Sequence, residues 1–150
     1  MQVVAGCIIE RDGRVLMTKQ AKQKYYGKWD FPAGHVEEYE SIMDAAVRET
    51  FEETGCRIRL IGALPICTVF LENGETLFIM RFLAELISED IKFDTSEILD
   101  VQWIDIDALK NMGEDEVRGH DIAMKTLIDL EENNVYPLEI YDDRIYKGDK

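Results

Sequence analysis

The stretch GHVEEYESIMDAAVRETFEETGC, residues 34–56, constrains this chain more than any other. Ile42, Ala45 and Ala46 recur with the 3.6-residue period of a helix, Ser41 and Asp44 suit its start, and Gly55 suits its C-terminal stop. Such a helix puts Glu49, Glu52 and Glu53 on one face, in its last turns. The helix dipole disfavours each anion there by roughly 0.3–1 kcal/mol, and mutual repulsion adds about 0.2–0.5 kcal/mol per pair. Arg48 relieves part of this through Asp44 or Glu52, each four residues away, but it cannot neutralise three carboxylates. Two readings follow. One is a solvated acidic face whose cost a surface tolerates; the other is a divalent-metal site, because hard oxygen ligands on a rigid element suit Mg²⁺ or Mn²⁺.

The remaining pattern is rich in strands. Val3–Ile9 reads as a strand, RDGR as a turn and VLMTK as the partner in a hairpin. KQAKQKYYGK reads as a polar loop, and WDFPAGH as a short extended piece, since Pro32 biases Phe31 away from helix. CRIRLIGALPICTVF and TLFIMRFLAEL read as extended segments, with the Asn-Gly of ENGE marking a hairpin between them. LDVQWI is a further strand, Asp105 or Asp107 caps a short helix around ALKNM, and a longer helix spans HDIAMKTLIDLEEN, with Ile122, Leu127 and Leu130 among its apolar positions. Strands outnumber helices and the hairpins make the sheet partly antiparallel, which favours an α+β fold. Without repeats or linkers, residues 1–150 read as a single domain, with 135–150 as an extra strand or a loose tail.

Charge narrows the partners. The formal net charge is −14, so a nucleic acid or an anionic membrane surface would be repelled over most of the protein. A phosphate-bearing small molecule is admitted if divalent cations stand between it and the acidic face. No segment runs 18 apolar residues without a charge, and the N-terminus lacks a basic leader pattern, so neither a membrane span nor a signal peptide is expected. Three cysteines cannot all pair within one chain, and no metal-ligand spacing links them. Cys7 and Cys67, among apolar neighbours, read as buried free thiols, and a reducing cytoplasm is the expected location.

Gly34, Glu40, Arg48, Glu49, Glu52, Glu53 and Gly55 stand at the spacing of the Nudix box, G-x5-E-x7-R-E-U-x-E-E-x-G-U with U apolar, and WDFPAG resembles the family's lead-in. The chain thus resembles the Nudix hydrolases. Thr50 and Cys56 occupy positions where that family more often has a larger aliphatic side chain. The N-terminal third and VQWIDIDAL extend the resemblance beyond the box. It implies the Nudix fold, a mixed β-sheet sandwiched between α-helices (α/β/α), and Mg-dependent pyrophosphohydrolase activity. The substrate implied is a small nucleoside di- or triphosphate or a related organic diphosphate, cleaved by attack of water at phosphorus.

By the same resemblance Glu49, Glu52 and Glu53 coordinate Mg²⁺, with Mn²⁺ an alternative, and one of them takes the proton of the attacking water. Arg48 orients them and Glu40 pairs with Arg48, an assignment that a purely helix-stabilising pair would also satisfy. Gly34 permits a tight turn, and the carbonyl of Ala33 or Gly34 reaches toward a metal. Glu97, with Asp94 as its rival, is the later-loop carboxylate.

Tyr25 and Tyr26 are candidates to stack on a base and Lys28 to contact phosphate, as are Lys24 and Arg14 more weakly; packing or solvation accounts for them equally well. His35 and His120 read as loop or capping residues, and Trp29 and Trp103 as core. The rival to an enzyme is a Nudix-fold domain that binds a nucleotide without cleaving it, which would be expected to lose part of the glutamate set. Monomer and homodimer are both compatible with the sequence.

Overall fold

A computed structural model describes residues 1–149. Its spine is β1 (Gln2–Arg11), which pairs in parallel with β7 (Thr76–Ser88), from Gln2 opposite Leu77 to Ile9 opposite Ala84. The other edge of β1 is divided. Val4–Gly6 face β4 (Ala33–His35), and Glu10 and Arg11 turn through Asp12-Gly13 into β2 (Arg14–Gln20). Both turn residues have positive φ, 52° and 75°, as the turn that matches strand twist requires. β2 continues the sheet to β3 (Trp29–Asp30) on one edge and β8 (Ile98–Asp105) on the other. β5 (Arg57–Ala63) and β6 (Cys67–Phe70) pair antiparallel with β7. The segment read as CRIRLIGALPICTVF is therefore two strands, broken around Pro65, and ENGE lies in the loop that returns β6 to β7.

Alternation along β1 and β7 builds two cores. Ala5, Cys7 and Ile9, with Phe82 and Ala84, face α1 (Ile42–Thr54), whose Ala45 and Ala46 are fully buried. Ile8 faces the other way, into a second cluster with Ala123 and Leu127 of α3 (His120–Glu131) and Leu109 of α2 (Ile106–Lys110). The mixed sheet lies between helices, as the fold expectation states.

α1 begins where Ser41 Oγ accepts from the Asp44 amide at 3.1 Å, and it ends at Gly55, with φ 80°. A Cβ at Gly55 would lie 2.1 Å from the Asp90 carbonyl oxygen, so chain geometry and space both demand glycine. The small residues in the box are absorbed by packing: Thr50 and Cys56 are fully buried, and the Thr50 hydroxyl donates to Ala46 O at 2.8 Å. Asp105 is the cap of α2, its carboxylate accepting from the Asp107 and Ala108 amides.

Two expectations need correction. Cys67 is only half-buried, because β6 lies against β7 alone, whereas Cys7 and Cys56 are buried. Burial pushes the Cys7 thiol up to about 12, which suits an inert core residue. Trp29 and Trp103 lie at the core margin rather than within it: Trp103 Nε1 donates to Glu89 at 2.6 Å and its ring carries the Arg11 guanidinium at 4.1 Å.

The C-terminal segment exchanges two 2.8 Å backbone hydrogen bonds between Ala63 and Tyr136. Tyr141 then packs on Phe82, and residues 142–149 follow without regular structure.

α3 is tied to β7 by a buried ion pair: Arg81 Nη2 donates to Asp129 Oδ2 at 3.1 Å, with the Asp129 side chain fully buried. Burial raises the Asp129 pKa, but Lys125, Asn134 and Arg81 together outweigh it and hold the carboxyl below its ordinary range. Asp129→Asn is expected to cost about 3 kcal/mol or more at neutral pH, because Arg81 loses its counter-charge. Since the folded pKa is depressed, the stabilisation is complete above the unfolded value near 3.8 and is lost as pH falls through the folded one. Urea unfolding across pH should show a constant gap between the two proteins above about pH 5 that narrows below about pH 4.

Candidate active site

Three of the four box carboxylates converge on one guanidinium. Arg48 Nε donates to Glu40 Oε2 at 2.6 Å and Nη2 to Glu40 Oε1 at 2.9 Å, a bidentate grip. Nη1 donates to Glu49 Oε1 at 2.8 Å and Glu52 Oε2 at 3.1 Å, while Nη2 also reaches the His35 carbonyl at 3.1 Å. Arg48 thus joins the loop before α1 to the acidic face of α1. Its hydrogen bond to Glu40 is the main cause that raises the arginine pKa and lowers that of Glu40. Arg48 relieves its neighbours through Glu40 and Glu52, not through Asp44.

Glu53 is held differently. It is half-buried and its Oε1 accepts from the Ala33 amide at 2.9 Å. Burial pushes its pKa up to about 8; the carboxylates of Asp30 and Glu49 push the same way, against the Ala33 amide and Lys22. Two further carboxylates thus stand beside this buried carboxyl, and the donor set is all hard oxygen. Both features fit a divalent cation held by Glu49, Glu52 and Glu53.

Gly34 is required by space: a Cβ there would lie 2.1–2.4 Å from the Glu49 carboxyl atoms. The main-chain group of Ala33 that meets the carboxylates is its N–H.

These groups line an open cavity of about 530 Å³ together with Lys22, Asp94 and Glu97. Both later-loop carboxylates reach the wall. Asp94 is engaged by the Ser96 amide and hydroxyl, which lower its pKa, and Glu97 lies 3.9 Å from Lys22 Nζ. A second cavity of about 340 Å³ shares Lys22, Ala33, Gly34, His35 and Glu53 with the first, and continues between the sheet and α3. Its wall is largely apolar, from residues such as Ile8, Phe31, Ile79 and Ile122, with Asp30, Arg81 and Arg118 among the charged exceptions. Asp30 is pushed up to about 6, chiefly by burial, against the opposing charge of Arg118 at 3.4 Å.

Of the loop aromatics, Tyr25 lines the second cavity and carries the Arg118 guanidinium 3.8 Å from its ring. Tyr26 is largely exposed and lies on neither wall; Lys28 is also off both walls, and its Nζ donates to the Glu114 carbonyl at 3.0 Å. His35 pairs with Gln2 Oε1, and His120, at the start of α3, with the Met112 carbonyl. Sequence reasoning passed over Lys22, Asp30, Arg81 and Arg118. Arg81 alone had a clear signal, the one basic residue inside the strand-like run TLFIMRFLAEL.

The chain is similar to known proteins in sequence and in fold. A family model described as NUDIX domain matches residues 1–125. The chain is 36% identical over 107 residues to the 8-oxo-dGDP phosphatase NUDT18 of Danio rerio, covering 69% of this chain and 31% of that protein. It is 33% identical over 110 residues to human nucleoside diphosphate-linked moiety X motif 6, covering 71% of this chain and 34% of the relative. The chain thus spans about a third of the length of these two curated relatives. A solved NUDIX hydrolase from Nitrosomonas europaea superposes with a TM-score of 0.85 at 29% identity, over 94% of this chain and 95% of that one.

Because the displaced atoms at Gly34 would be the end of a flexible glutamate, Gly34→Ala should fold with a nearly unchanged urea midpoint while moving the Glu49 carboxylate. Mn²⁺ affinity, measured by calorimetry, is expected to fall roughly tenfold or more; an unchanged affinity would remove Glu49 from the cation site.

Proposed function

This chain belongs to the NUDIX family, and on that premise we propose that it is a metal-dependent hydrolase that cleaves the diphosphate linkage of a small nucleoside di- or triphosphate, or of a related organic diphosphate, by attack of water at phosphorus. The observation that carries the reading is the shared wall of the two cavities: five residues, Glu53 among them, border both the carboxylate cluster and the apolar recess. A diphosphate at the first would set its attached organic group in the second.

Mg²⁺, or Mn²⁺, held by Glu49, Glu52 and Glu53 would neutralise diphosphate charge and acidify a water. The protein's own part is positional. Arg48, clamped by Glu40, keeps Glu49 and Glu52 together, and Ala33 N–H fixes Glu53 from the opposite side. One carboxylate of the three takes the proton from water. Glu97 is a further ligand on this reading, the carbonyl of Ala33 or Gly34 another, and Lys22 is placed for a phosphate oxygen.

The net charge of −14 supports a small substrate over a nucleic acid, and the description of the Danio rerio relative supports the nucleotide side. Free cysteines support a cytoplasmic location; no helix among the described residues is long and apolar enough to cross a membrane.

The test is product release from unmodified and oxidised nucleoside triphosphates, nucleoside diphosphates, diphosphate sugars and dinucleotides, with Mg²⁺, Mn²⁺ or chelator. Chelator-sensitive turnover is expected, and Glu52→Gln or Glu53→Gln should lower kcat/KM by roughly 10²- to 10⁴-fold. Metal-dependent turnover that survives both substitutions would refute the roles given to these glutamates. Nucleotide binding with no product from any substrate would favour a binding domain.

A further inference from the structure

A third cavity, of about 610 Å³, opens at the C-terminal end of α1. Phe51 and Glu52 of the helix, Arg57 of β5 and residues of the 88–94 loop line it. That loop is fixed against the helix end: Lys92 N–H donates to Thr54 O at 3.0 Å, and Asp90 O lies where a Cβ of residue 55 would go. The cavity shares Glu52 and Asp94 with the carboxylate cavity, and no lining residue with the recess on the other side. Glu53 thus borders the recess, and its neighbour Glu52 borders the third cavity. The carboxylate cluster stands between two cavities, and a diphosphate has two ends.

Charge marks what the third cavity accepts. Of its acids, Glu52 is held by Arg48, Asp90 pairs with Lys92 at 3.3 Å, and Asp94 accepts from the Ser96 amide and hydroxyl. Its other cation has no such partner. The Arg57 guanidinium stands 4.5 Å from the centre of the Phe51 ring, and among the described residues no carboxylate is within ion-pair distance of it, whereas Arg59 of the same strand has Glu85. A guanidinium held on an aromatic face keeps its edge N–H groups for an acceptor, and its fork matches a phosphate. The helix end does not stand against an anion there as a bare one would, because Phe51 O and Thr54 O are already taken by Gly55 N–H and Lys92 N–H. A neutral sugar would leave the charge of Arg57 unanswered. A phosphomonoester uses both the charge and the fork.

We propose that the third cavity receives the second half of a two-ended diphosphate, and that Arg57 grips a phosphate which that half carries. The inference rests on the proposed function, since it takes the three cavities as parts of one substrate site. It narrows the substrate to a diphosphate with a separate phosphate on the group remote from the recess. A nucleoside triphosphate has no second group to place there.

Arg57 is exposed at the first residue of β5, so Arg57→Gln should fold with an unchanged urea midpoint. Binding is read by calorimetry with Mg²⁺, using methylene-bridged nucleoside diphosphate riboses of the four common bases, each with and without a phosphate on the terminal ribose. In the best-bound pair the wild type is expected to bind the phosphorylated compound roughly tenfold or more tightly, and Arg57→Gln to bring that ratio close to one. A wild-type ratio of one overturns the proposal. So does a ratio that survives the substitution, or a wild type that binds no member of any pair. Product release, measured separately, tells the two readings apart. An intact ratio without hydrolysis of any substrate strikes the hydrolase reading alone, whereas chelator-sensitive hydrolysis with a ratio of one strikes this proposal alone.

Discussion

The parallel pairing of β1 with β7 is the constraint on which the other features depend. Eight consecutive residue pairs run from Gln2–Leu77 to Ile9–Ala84, and their alternation assigns opposite faces to neighbouring residues. One face takes α1, whose Ala45 and Ala46 allow it to lie close. The other takes α3, with Arg81 drawn toward Thr126 and Asp129 and with Pro32 and Ala33 lying over Gly6, where a Cβ would come within 2.5 Å of both. A recess results, and β4, paired to β1 at the same level, forms its boundary with the acidic end of α1.

Electrostatics explains why that boundary persists. Three carboxylates near the end of α1, with Glu40 from the loop before its start, would spread apart in solution, yet Arg48 contacts Glu40, Glu49 and Glu52 simultaneously, and Ala33 N–H holds Glu53. Burial displaces Glu53 and Asp30 upward, and for Glu53 the carboxylates of Asp30 and Glu49 add to it. Carboxylates buried beside one another are a poor way to stabilise a fold and a good way to receive cations.

The helix and its acidic face were legible because their signals are local: a period, a cap at Ser41, a glycine at position 55. The same holds for the Asp12-Gly13 hairpin. The break around Pro65 was missed because both flanking segments are strand-like and the interruption is only three residues long. Arg81 and Arg118 come to the same recess from positions 37 apart, through a buried ion pair for one and the pairing of Trp29 with the 116–118 segment for the other. No window of sequence contains such a relation.

The sequence by itself therefore determined the chemistry at one helix face, since covalent spacing of three and four residues is enough to align Glu49, Glu52 and Glu53 once a helix forms. It also determined the stop at Gly55, where only a residue without Cβ fits. Tertiary structure decided what that face looks out upon. The recess and its apolar walls arise from β1, β7 and α3 meeting in space, and burial, which is a property of the assembled layers, is what makes Arg81 and Asp30 parts of a defined pocket wall.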